Sequence, residues 1–114
     1  MSFGELSESS NRLANVLAAS GVGEGDRVAI ILSQRPETAI AHIACYQMDA
    51  IALPLSHLFG PDALEYRLAD SGASVAIVDE STLPKLWAVR DRLPQLRHVI
   101  GVGGAKESGV HDWD

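Results

Sequence analysis

The chain is poor in the features that would mark it for several large function classes. It has one cysteine, Cys45, in 114 residues. No internal disulfide can form, and a single thiol fits a reducing cytosol. Nine Lys and Arg stand against 15 Asp and Glu, a formal net charge of −6. Nucleic acids and anionic membrane surfaces select basic faces, so neither is an expected partner. The chain has no run of about 18 apolar residues, and its N-terminus lacks the basic-then-apolar pattern of an export signal. The expectation is a soluble, cytoplasmic chain.

Other absences concern chemistry. His42, His57, His98 and His111 are too scattered for a zinc pattern. The G-x-S-x-G elbow of a serine hydrolase is missing. Ser33-Gln34-Arg35-Pro36 contains no glycine to wrap a phosphate, and Gly101-Val102-Gly103-Gly104 lacks the lysine and following helix of a phosphate loop. A receiver domain needs an acidic pair after its first strand to hold magnesium; this chain has Leu32-Ser33-Gln34. Asp79 therefore reads as the loop residue before a helix, not as a phospho-acceptor. His42 and Cys45 lie three apart on a stretch that reads as a packed helix, not a catalytic dyad.

What is present is ordinary globular material. Hydrophobic residues make up 46%, enough for a core, and the length allows one domain at most. Phe3 to Ser20 reads as a helix with Leu6, Leu13, Val16 and Leu17 on one stripe. Arg27 to Leu32 is apolar after its first residue, as a strand covered on both faces should be. A helix follows from Pro36. Ile51 to Leu55 is a second strand, and Pro61 opens the next helix, where a missing N–H costs nothing. Gly72 ends that helix with a positive φ.

Ser74 to Val78 is a third strand, Ser81 a candidate N-cap for a helix to about Leu93, and His98 to Val102 a fourth strand. These strands start at 27, 51, 74 and 98, so each begins 23 or 24 residues after the last. Strands alternating with helices predict an α/β fold: an open, mainly parallel sheet with helices on both faces. Residues 103–114 read as a loop leading onward. Arg67, near Asp62 and Asp70, reads as half of a solvated helix ion pair. Met48, Phe59, Tyr66 and Trp87 read as core or contact residues.

The order of short motifs resembles the early N-terminal part of adenylate-forming enzymes of the acyl-CoA synthetase type. The carriers are Ser10-Asn11-Arg12-Leu13-Ala14-Asn15, Gly25-Asp26-Arg27-Val28, Leu53-Pro54-Leu55, Pro61-Asp62-Ala63-Leu64 and Leu68-Ala69-Asp70-Ser71-Gly72-Ala73. The resemblance covers about Phe3 to Val102. It implies that residues 1–102 are an α/β part of a larger N-terminal adenylation domain, whose remainder would be this chain's partner. Asp49 departs from the family, which has glycine there; aspartate tolerates the left-handed conformation better than most residues.

The resemblance further implies a whole enzyme that uses ATP, magnesium and CoA to activate a carboxylic acid and pass the acyl group to CoA. The family's phosphate loop, ribose-binding aspartate and C-terminal lysine are missing from these residues. The chain therefore reads as an N-terminal fragment with no catalytic residue of its own. By family analogy, the loop at His57, Leu58 and Phe59, with Lys85 beyond the next strand, lies near CoA. The glycine pair and arginines of the relatives are missing there. A stand-alone α/β binding or regulatory module is the alternative. A sheet cut from a larger domain leaves apolar surface uncovered, so self-association is expected.

Overall fold

The computed structural model describes residues 3–19, 21–32, 36–56, 58–102 and 111–112. Helix α1 (Phe3–Ala19) leads to β1 (Arg27–Ile31), then α2 (Pro36–Gln47), β2 (Ile51–Pro54) and α3 (Pro61–Ser71). After β3 (Val75–Val78) come α4 (Leu83–Val89), a 3₁₀ turn (Arg90–Arg92), β4 (His98–Gly101) and the two-residue β5 (His111–Asp112). All pairings are parallel, in the order β2-β1-β3-β4-β5.

That order explains the two helical layers. The chain steps sideways from β1 to β2, then returns past β1 to reach β3. Crossovers of one hand that run in opposite lateral directions place their helices on opposite faces. Accordingly Val28, Ile30, Val75, Ile77 and Ile100 meet Leu13 and Leu17 of α1 and Ile40, Ala41 and Ala44 of α2. Ala29, Ile31, Ala76, Val78 and Val99 meet Leu64 and Leu68 of α3 and Leu86 of α4. Strands β1 and β3 alternate between two buried faces, which is why both are apolar apart from Arg27, the exposed first residue of β1.

Several local expectations shift. The buried stripe of α1 runs through Ser10, Leu13 and Leu17, while Val16 is 50% exposed. Ser10 is tolerated there because its hydroxyl donates to the Ser7 carbonyl at 2.9 Å. Helix α4 starts after Thr82, not Ser81, and a 3₁₀ turn replaces its expected end. The expected loop over 103–114 is interrupted by β5, whose two residues pair with Ile100 and Gly101. Too few residues are involved to show an alternating pattern. Met48, Phe59 and Trp87 pack against the cores as expected, but Tyr66 is 67% exposed.

Gly72 and Asp49 are among the described residues that take a positive φ. Gly72, at φ 68°, closes α3 with its N–H on the Leu68 carbonyl. Asp49, at φ 56°, makes the same kind of turn between α2 and β2 without being glycine.

Candidate functional site

In a sheet ordered 2-1-3-4-5, the connections diverge between β1 and β3, and ligands collect at the strands' carboxyl ends near that point. Here the protein's own groups occupy that position. Asp79 follows β3 and is 1% exposed. Its Oδ1 accepts from the Ser81 N–H (3.1 Å), the Ser81 hydroxyl (2.7 Å) and the Thr82 N–H (3.2 Å). The Thr82 hydroxyl has one proton, within reach of both the Ile31 carbonyl (3.1 Å) and Asp79 Oδ1 (3.2 Å). Asp79 thus prepares the start of α4, a use of its carboxylate that leaves the phospho-acceptor reading without support. The Ser81 hydroxyl, expected to cap the helix, serves Asp79 instead.

The other groups at this edge flank the lock. After β2, the Leu58 N–H donates to the Ser56 hydroxyl (3.1 Å) and the Phe59 N–H to the Ser56 carbonyl (3.2 Å). These bonds hold Leu58 outward, 77% exposed, and turn Phe59 against the core below α3. Arg67, read in the sequence as half of an ion pair, places its guanidinium over the Phe59 ring, 5.7 Å from the centroid. Pro61 starts α3 behind Gly60, which offers no side-chain cap. His57 lies outside the described residues.

Lys85 is half-buried in the first turn of α4. Topology brings it to the same edge as Leu58 and Phe59, with β1 between their strands. Two strand spacings separate the two loops by about 10 Å. The spacing of Phe59 and Arg67 gave no sign of their contact. The signal available was the lean of helical side chains toward the helix N-terminus.

Cys45 is buried in the α1–α2 core, and burial raises its thiol pKa from 9.0 to about 11. His42, on the same helix, is beside Tyr46, their ring centroids 6.5 Å apart. Among the described residues, no three His, Cys, Asp or Glu come together to hold a metal ion, and no helix is long and apolar enough to cross a membrane.

The sequence profile of the family described as AMP-binding enzyme matches residues 1–112. The chain belongs to this family. It is 39% identical over 110 residues to an acetyl-coenzyme A synthetase of Bacillus subtilis (strain 168), covering 96% of this chain and 19% of the relative. It is 44% identical over 77 residues to a feruloyl-CoA synthase of Amycolatopsis sp, covering 68% of this chain and 16% of that one.

Among solved structures, an anthranilate CoA ligase in complex with anthranoyl-AMP superposes with a TM-score of 0.96 at 29% identity. That match covers 99% of this AMP-binding family member and 22% of the ligase chain. A Mycobacterium tuberculosis fatty acyl CoA synthetase gives 0.84 at 28%, over 89% of this chain and 21% of that one. The chain therefore spans about a fifth of the length of these relatives. These likenesses lend no support to a stand-alone binding or regulatory module.

Proposed function

We propose that this chain is the N-terminal part of an acyl-CoA synthetase-type ligase in the cytoplasm, with residues 1–102 forming an α/β portion of its adenylation domain and 103–114 leading into the rest. The observation that carries the reading is the likeness to acetyl-coenzyme A synthetase across 96% of this chain but 19% of the relative. In the whole enzyme, a carboxylate oxygen of the acid attacks the α-phosphorus of ATP and displaces pyrophosphate. The CoA sulfur then attacks the acyl carbonyl, loses its proton and releases AMP.

The part assigned to these residues is structural. The sheet and its Asp79–Thr82 lock hold the β2 and β3 loops at one edge. Leu58, Phe59 and Lys85 form one wall of the CoA entrance, and no catalytic residue is assigned. Phosphoryl chemistry depends on positioned groups that neutralise developing phosphate charge. The magnesium that accompanies ATP is assigned, by the family resemblance, to the rest of the enzyme.

Acid-dependent exchange of pyrophosphate into ATP tests the proposal. The full-length protein should catalyse it with at least one carboxylic acid and consume CoA in the second step. The 114-residue chain by itself, free of host synthetases, should give only the blank. Exchange by the short chain would overturn its assignment as scaffold, and a full-length protein inert toward a broad acid panel would overturn the ligase reading.

A further inference from the structure

Helix α2 has no charged side to turn toward water. Its one formally charged residue, Glu37, is half-buried in the first turn. Ile40, Ala41, Ala44 and Cys45 lie in the core shared with α1. At about 100° per residue, Ala39, His42, Ile43 and Tyr46 fall on the opposite side. There Ala39 is exposed, Tyr46 is 69% exposed, and the Tyr46 and His42 rings stand 6.5 Å apart. The outer sides of the neighbouring helices differ: α1 exposes Glu8 and Arg12, and α3 exposes Asp62, Arg67 and Asp70. Tyr66, 67% exposed, stands four residues from both Asp62 and Asp70. One exposed ring among charges needs no cover, but a helix uncharged all round belongs inside a protein.

Resting on the ligase reading above, we propose that this outer side of α2 is an internal contact of the whole enzyme, covered by an apolar segment from the remainder of the same polypeptide. This chain spans 19% of the length of the acetyl-coenzyme A synthetase it resembles, so most of such a polypeptide remains to supply the cover. Ala39 lets a packed element come close, and Tyr46 offers a large ring with one hydroxyl to bond. A separate partner gains encounter rate and register from charged groups. A contact within one polypeptide needs neither, which fits a surface that carries none.

N-acetylimidazole, which acetylates exposed tyrosine hydroxyls, tests this on the unmodified full-length protein. Site-resolved mass spectrometry should show Tyr46 acetylated at least about tenfold more slowly in the native protein than in urea. Ala39→Cys should gain the same protection from iodoacetamide, read at that cysteine. Dilution that dissociates any oligomer should leave both unchanged. A native rate equal to the unfolded one at either site would overturn the proposal. Protection that disappears on dilution would also overturn it, marking a second copy as the cover. The labelling does not depend on catalysis, so a protected Tyr46 in a full-length protein inert toward acids would overturn the ligase reading alone.

Discussion

Thr82 and Ile31 are 51 positions apart in the chain, yet the Thr82 hydroxyl lies 3.1 Å from the Ile31 carbonyl. The contact ties the first residues of α4 to the last residue of β1, across the place where the sheet's connections diverge. Both residues are buried, so water cannot replace the bond. Thr82→Val keeps the shape and removes the donor. It should cost about 1–2 kcal/mol in urea unfolding of the protein, because the buried proton shared by the Ile31 carbonyl and Asp79 Oδ1 is lost. Thr82→Ser should retain most of the stability. A Val variant as stable as wild type would show that the hydroxyl does not close this edge.

Asp49 offers a test of backbone strain. At φ 56° it occupies a region that L-residues enter at a cost. Glycine enters it freely but loses more freedom on folding. The difference favours Asp49→Gly by ~0.5 kcal/mol, read as a higher urea midpoint with an unchanged slope. Asp49→Val, β-branched, should shift the midpoint the other way.

Cys45 links pH to stability. Its folded pKa of about 11 is above the ordinary 9.0 because burial disfavours the thiolate. The folded state holds this proton more tightly, so the contribution is fully present below pH 9 and is lost as pH rises toward 11. Cys45→Ala should flatten the decline over that window, whatever its cost at pH 7. In the native protein, Cys45 should react with iodoacetamide only as fast as the α1–α2 core opens.

Lys85 tests the wall assigned to the CoA entrance. In the full-length enzyme, Lys85→Ala should raise KM for CoA several-fold, about 1 kcal/mol for one partly exposed phosphate contact. Unchanged CoA kinetics would make Lys85 a helix residue with no part in binding.

Self-association follows from the edge of the sheet. Among the described residues, β2 pairs on one side only, and its Ile51 is 42% exposed. An open, partly apolar strand edge invites pairing with another chain. A specific dimer would bury about 1,600 Å². Light scattering of the 114-residue chain at tens of micromolar should show a dimer or larger species. A clean monomer that does not bind ANS would show that the edge needs no cover.

Local chemistry made much of this protein legible before its fold was known. The strand spacing, Pro61 at the start of α3, Gly72 at its end and the aspartate at Asp49 are properties of short segments, decided by backbone sterics. The parallel sheet followed from those segments and from the handedness of crossovers. Tertiary structure decided the rest. Only packing could select Ser10 over Val16 for the buried face of α1, since a hydroxyl bonded to its own helix loses its polarity penalty. Only strand order could bring Thr82 to Ile31, and only the folded β2 loop could place Phe59 under Arg67. Contacts between distant residues depend on which elements become neighbours, and no single segment encodes that.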